Sequence, residues 1–352
     1  MSYSVFDHPI LSGLVGNDEV AACFSTDADI RAMLQFEAAL ARVEGRLGVI
    51  PPAAGLRIAE VCASFRPDIF RLREAVGRDG VVIPDLVFQL RQAVGGDEAQ
   101  HVHFGATSQD AIDTSLMLRL KTATGILVRQ TSAVIAGLDR LLATFGGNRL
   151  MGFTRMQAAI PITAADRIRT WREPLVGSAA RFDAFGADGF ALQFGGAAGT
   201  LEKLGEKADA VRAALAGELG LADRPQWQSQ RDRVAEFASL LSLLTGSLGK
   251  FGQDVALLAE RADEIRLSGG GGSSAMPHKQ NPVAAETLVA LARFNAVQVS
   301  GLHHSLVHEQ ERSGAAWTLE WMILPQMVGA TAAALTLATA LTERIEMLGT
   351  AD

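Results

Sequence analysis

The densest run of chemistry in the chain is Gly272-Ser273-Ser274-Ala275-Met276-Pro277-His278-Lys279-Gln280-Asn281-Pro282. Two hydroxyls, an imidazole, an ammonium and two amides follow a glycine run, Gly269 to Gly272. Glycine lets backbone N–H groups turn toward an anion. Lys279 adds a point charge and Asn281 a directed donor. The segment 268–281 reads as a mobile lid that closes on an anionic substrate. A plain Gly-Ser linker fits its composition equally well. A Walker A phosphate loop does not, because Lys279 has no glycine before it and no Ser or Thr after it.

A lid needs rigid elements to close against, and the hydrophobic periodicity supplies them. Ser25 to Leu47 predicts one helix, with Ser25, Thr26 and Asp27 as caps and Gly48 and Pro51-Pro52 as its stop. Shorter helices follow, punctuated by Pro67, Gly77, Gly80 and Pro84, and then a loop over His101 to Gly105. Ser108 to Phe145 predicts a single long helix, roughly 55 Å at 1.5 Å per residue. Further long helices are expected over Ala158–Phe185, Asp232–Leu267, Pro282–Glu311 and Trp317–Leu348. The first of these is bent near Pro161 and Pro174, and Pro161 leaves its start open. No proline falls between Pro84 and Pro161 or between Pro225 and Pro277. The expected fold is all-α: a small N-terminal helical domain, 1–105, and a long helical bundle, 106–352, that carries the lid. Helices this long and apolar predict a bundle that associates with copies of itself. They read as bundle helices rather than membrane spans, on the expectation that charge interrupts them.

Composition narrows the function. Lys plus Arg is 32 and Asp plus Glu 39, a net charge of −7, which disfavours a nucleic-acid partner. Tyr occurs once and aromatics make up 6%, a mixture poor in strand formers. Two cysteines, Cys23 and Cys62, cannot form a disulfide framework and fit a reducing cytoplasm. The first nine residues show no secretory pattern.

Ser273-Ser274-x-Met276-Pro277-x-Lys279-x-Asn281, with Glu286 five residues on, resembles the signature of the fumarase/aspartase superfamily. Gly105-Ala106-Thr107-Ser108-Gln109-Asp110 resembles its Thr-Ser block, and Gly152 to Pro161 its remaining block. Gly195 to Thr200 is also of the family's type, and the likeness runs from about Phe24 to Pro325. The resemblance implies an all-α tetramer whose sites each draw on three subunits. It implies Ser273 as proton donor, with Ser274 as the runner-up, and Lys279 and Asn281 as holders of a substrate carboxylate. Thr107 and Ser108, at a helix N-terminus, suit a carboxylate; plain N-capping is the simpler alternative.

Two departures matter. Arg155 stands where most members keep a histidine, and Val81 to Asp85 holds none where the adenylosuccinate lyases have a catalytic one. A general acid is needed to expel an amine or water. A substrate's own carboxylate, with a pKa near ~4, leaves unprotonated. The resemblance therefore leans to the branch that closes a lactone on a 3-substituted anionic muconate. An adenylosuccinate-type lyase and a non-catalytic, crystallin-like protein are the alternatives. Family members continue into another small helical domain, so that domain is expected to be missing or trimmed here. Arg155 is expected to pair with Glu286 or fork onto substrate, with Gln157 beside it. His103 is either a substrate contact or a loop histidine bonded to backbone. His303, His304 and His308 favour a solvated helix or a subunit contact over metal. Glu309, Glu311 and Arg312 are most simply a charged helix end, although the family places an arginine near substrate here. No metal, nucleotide or redox cofactor is implied.

Overall fold

The computed structural model describes residues 4–261, 263–272, 276 and 280–351. Two short helices, α1 (Ser12–Val15) and α2 (Asp18–Ala22), lead into α3 (Thr26–Arg46). Ser25 caps α3 by accepting from the Ala28 N–H at 3.2 Å. Asp27 and Asp29 lie in its first turn and Arg46 in its last, each sign matched to the helix dipole. α4 (Pro52–Ser64) packs back on α3. The crossing is tight at Gly55, where a Cβ would sit 2.4 Å from the Ala41 carbonyl oxygen. α5 (Ile69–Asp79) and α6 (Ile83–Val94) complete this part. Asp68 caps α5, and Gly80 ends it in the left-handed region at φ 72°.

α7 (Ser108–Phe145) is one unbroken helix of 38 residues, as its sequence predicts. With α8 (Ala164–Asp188), α10 (Asp232–Arg261), α11 (Val283–His304) and α12 (Gly314–Arg344) it forms the bundle, while α9 (Ala208–Leu219) lies in the α8–α10 connection and packs on α3. Leu241, Leu244, Leu248, Phe251 and Val255 recur every three or four residues on α10 and are fully buried. Buried Asn295 ties three helices together, its amide donating to Thr245, Thr331 and the Met327 carbonyl.

Several expected helices end early, for reasons that lie outside their own periodicity. Residues 157–163 form a strand. β1 (Arg149–Thr154) and β2 (Gln157–Thr163) make an antiparallel hairpin with Pro161 opposite Met151. Helix begins only at Ala164, where the Thr163 hydroxyl accepts from the Asp166 N–H and the Asp166 carboxylate accepts from the Thr163 N–H. α10 stops at Arg261, because β3 (Ile265–Leu267) pairs with β6 (Ile345–Leu348), and that pairing also ends α12 at Arg344. β4 (Gly271–Gly272) pairs with β5 (Gln280–Asn281). α11 ends at His304, so His304 and His308 do not share a helix turn. Charge does not interrupt α12 either: residues 321–342 hold no Asp, Glu, Lys or Arg. α12 is long and apolar enough to cross a membrane by length and composition. Its Leu324, Met327, Val328 and Leu335 are instead buried in the bundle.

Candidate active site

The N-terminus of α7 is fastened by several buried hydrogen bonds. The Thr107 N–H donates to Asp110 Oδ2 at 3.0 Å. Asp110 is fully buried and also accepts from the Gln193 amide and from the N–H groups of Gly195 and Gly196, each at 2.9 Å. Burial lifts its carboxyl to about 6, and these donors hold it from rising further. The glycine stretch is thereby clamped to the first turn of α7. Gly196 has φ +67°, and a Cβ there would meet the Gly105 carbonyl at 2.9 Å, so only glycine fits.

One turn on, the clamp becomes ionic. Asp113 and Glu320 both grip Arg231, and all three are buried. Arg231 Nη1 donates to Asp113 Oδ2 at 2.6 Å and Nε to Glu320 Oε1 at 2.8 Å. Burial works against the charge on Arg231, but the two carboxylates outweigh it and raise its pKa. Trp317 Nε1 donates to Asp113 at 2.9 Å, and Trp227 lies 4.7 Å under the guanidinium. Gln109 donates to Asp113 and to the Gln228 carbonyl. Arg312 reaches in from the α11–α12 connection, donating to Gln109 Oε1 at 2.9 Å and to the Ala197 carbonyl at 3.2 Å.

His103 stands just ahead of this helix end. Its backbone is left-handed, at φ 62°, uncommon for a non-glycine residue. Its Nδ1 lies 2.6 Å from Glu37 Oε1, so its partner is a carboxylate rather than backbone. Burial alone would lower the imidazole pKa, but Glu37, with Asp110 behind it, raises it.

His103, Thr107 and Ser108 thus share one end of the bundle, and Arg312 joins them. Residue types alone made Arg312 a charged helix end. Its role rests on Gln109, 203 residues away in sequence, a contact that no local pattern contains. Arg155, Gln157 and Asn281 lie at the opposite end. Beyond Phe145, the hairpin base is pinned by the Met151 N–H donating to Glu264 and by the Arg149–Thr350 bridge. The β4–β5 pair emerges beside the end of α12, where the Ser268 N–H donates to the Arg344 carbonyl at 2.8 Å. A 38-residue helix separates the two ends by about 55 Å. Ser273, Ser274 and Lys279 lie outside the described residues.

Arg155 and Met156 form the hairpin turn, with φ 48° and 65°. Two-residue hairpin turns of this kind favour Asn-Gly, so Arg-Met is held there against its preference. Arg155 lines a cavity of about 660 Å³ with Met156, Arg167, Lys250 and Arg261. Glu286 is exposed on the first turn of α11, and among the described residues no ion pair joins it to Arg155. His303 and His304 are exposed at the end of α11, whereas the His308 side chain is buried 3.9 Å from Glu320. The three imidazoles do not converge.

The sequence profile of the Lyase family matches residues 15–301. A 3-carboxy-cis,cis-muconate cycloisomerase of Pseudomonas aeruginosa is 42% identical over 334 residues, covering 93% of this chain and 73% of the relative. One of the same name from Bradyrhizobium diazoefficiens is 38% identical, over 93% of this chain and 74% of the relative. The crystal structure of the 3-carboxy-cis,cis-muconate lactonizing enzyme of Pseudomonas putida superposes with a TM-score of 0.91 at 35% identity, covering 97% of this chain and 78% of that one. With the motif blocks in order and the helical bundle in place, the chain belongs to the lyase family, within the fumarase/aspartase superfamily.

Proposed function

We propose that the protein is a cycloisomerase that closes 3-carboxy-cis,cis-muconate, or a muconate with another anion at position 3 such as a sulfonate, to its muconolactone. The observation that carries this reading is a run of relatives bearing the cycloisomerase name, from 35% to 42% identical across nine-tenths or more of this chain. Arg155 supports it, because an arginine stays charged at any working pH and cannot shuttle a proton. Lactone closure needs no such shuttle for its carboxylate, and tethering replaces the activation of a second reactant.

In the proposed reaction one substrate carboxylate adds across a double bond. Negative charge builds beside another carboxylate as an enolate-like dianion. Lys279, Asn281, Thr107 and Ser108 hold that charge, and Ser273 delivers a proton to carbon, with Ser274 as the runner-up. Arg155 and Gln157 bind the third anionic group, and His103 a carboxylate ahead of α7. No step calls for a metal or a redox cofactor.

This site needs more than one copy of the chain. Thr107 starts α7 and Arg155 lies in the hairpin that follows its other end, and a helix of about 55 Å is too long for one small substrate to bridge. The reading therefore includes a homotetramer in which each site takes its three blocks from three subunits. Large apolar side chains left exposed on the bundle, Leu243, Val297 and Met322, favour such packing. Two free, buried cysteines suit the reducing cytoplasm. The deciding experiment follows the loss of conjugated-diene absorbance with 3-substituted muconates. Turnover of an amine-expelling lyase substrate, with none of any muconate, would replace the cycloisomerase reading.

A further inference from the structure

The pairing of His103 with Glu37 is not explained by packing alone. Glu37 is 1% exposed in the middle of α3, and its second oxygen has no hydrogen-bond partner among the described residues. A buried carboxylate without a cation is strongly disfavoured, and the partner it has is the His103 ring at 2.6 Å. The only other acid beside it on α3 is Glu44, one heptad on, whose carboxyl burial pushes up to about 9, with Glu37 adding to the rise. Glu44 is therefore neutral in the working range, which leaves Glu37 as the acid of α3 that faces the ring. Cys62, from α4, is held as a neutral thiol, pushed up to about 12 mainly by burial. The groups acting on the imidazole are Glu37 from α3, Asp110 from α7 and Arg91 from α6. Two are acidic and one is basic, and the strained φ of 62° keeps the ring against the acid.

We propose that Glu37 is the positioning residue for His103: its buried carboxylate fixes the ring as an imidazolium, with Nδ1 engaged, and leaves Nε2 to donate to a substrate carboxylate ahead of α7. The inference rests on the reading above, that an anionic substrate binds at that helix end. A charge held from α3 keeps anion recognition there to higher pH than a free histidine would, since an unperturbed ring with a pKa near ~6.5 loses its charge by neutrality.

The test uses the full chain and Glu37→Gln, with Glu44→Gln as a second variant. The ring protonation of His103, assigned by its loss in His103→Asn, is followed by NMR against pH without substrate. Its midpoint is expected above 6.5 in the wild type and at or below it in Glu37→Gln, and unmoved by Glu44→Gln. In the diene assay, Glu37→Gln is expected to raise KM about tenfold at pH 8 and to approach the wild-type KM at pH 6, where the ring protonates again. Thermal unfolding checks that the variant is folded. An unmoved NMR midpoint overturns the role of Glu37. A moved midpoint with a KM ratio that is the same at pH 6 and pH 8 overturns the substrate contact. Absence of turnover by the wild type sinks the cycloisomerase reading, while the NMR midpoint still decides on Glu37.

Discussion

The two ends of α7 are built on opposite plans. At its N-terminus the polar groups interlock: Asp110 takes four donors, Arg231 two carboxylates, Gln109 three contacts. At the far end, β2 is exposed over Gln157 to Pro161, Met156 is 72% exposed, and the turn is strained. Finished networks hold geometry without help. The unfinished hairpin has the character of a part whose partner is another surface or a substrate. On the proposed function this difference is a division of labour, with one end presenting a preset carboxylate receptor and the other bringing the reacting groups.

The largest effect should come from the reacting groups. Ser273→Ala is expected to lower kcat by roughly 10²–10⁴-fold, the range for a positioned proton donor, with thermal stability unchanged. Near-wild-type turnover would move the proton donor to Ser274 or to another group. At the preset end the loss should instead be structural. Arg231→Met strands Asp113 and Glu320 as buried charges, and denaturant unfolding should show a loss of about 3–5 kcal/mol. A cost below ~1 kcal/mol would show that the clamp does not hold that end.

Glu44 gives the pH arm of the same contrast. Its folded pKa, about 9, lies above its unfolded value, so the unfolded chain ionises first. Stability is then greatest below the unfolded pKa and declines as pH rises toward 9. Glu44→Gln should remove that decline, gaining on the order of 3 kcal/mol at pH 8 relative to pH 5, read as thermal midpoints at the two values. Equal midpoint shifts at both would sink it. Arg155→His and Arg155→Met should both raise KM and lower kcat/KM, about tenfold, without moving the unfolding midpoint. The smallest effect belongs to the turn itself. Met156→Gly accepts the left-handed backbone freely and should stabilise by about 1 kcal/mol. Destabilisation would mean that the Met156 side chain is needed for packing.

What could be read in the sequence followed where the controlling interactions are local. α7 is legible to its first and last residue, because Thr107, Asp110 and Gly146 mark its ends within one turn. The run from Gly272 to Pro282 and the Thr-Ser block stood out by residue type. The β1–β2 hairpin did not, since its turn lacks Gly or Asn and Ala158-Ala159 reads as helix. β3 and β6 are three and four residues long, and only their mutual pairing, about eighty residues apart, makes them strands. The Arg312–Gln109 and Glu37–His103 contacts were hidden for the same reason, each joining partners more than sixty positions apart.

The length of α7 also bears on how this protein can vary through descent. One residue inserted anywhere in it would turn everything beyond by about 100° and push it along by about 1.5 Å. The clamp at Asp110 and Asp113 would then no longer be in phase with the hairpin. Side chains along α7 can be exchanged without disturbing that phase, whereas a change in length can be absorbed only in a connection, where no helical phase depends on it.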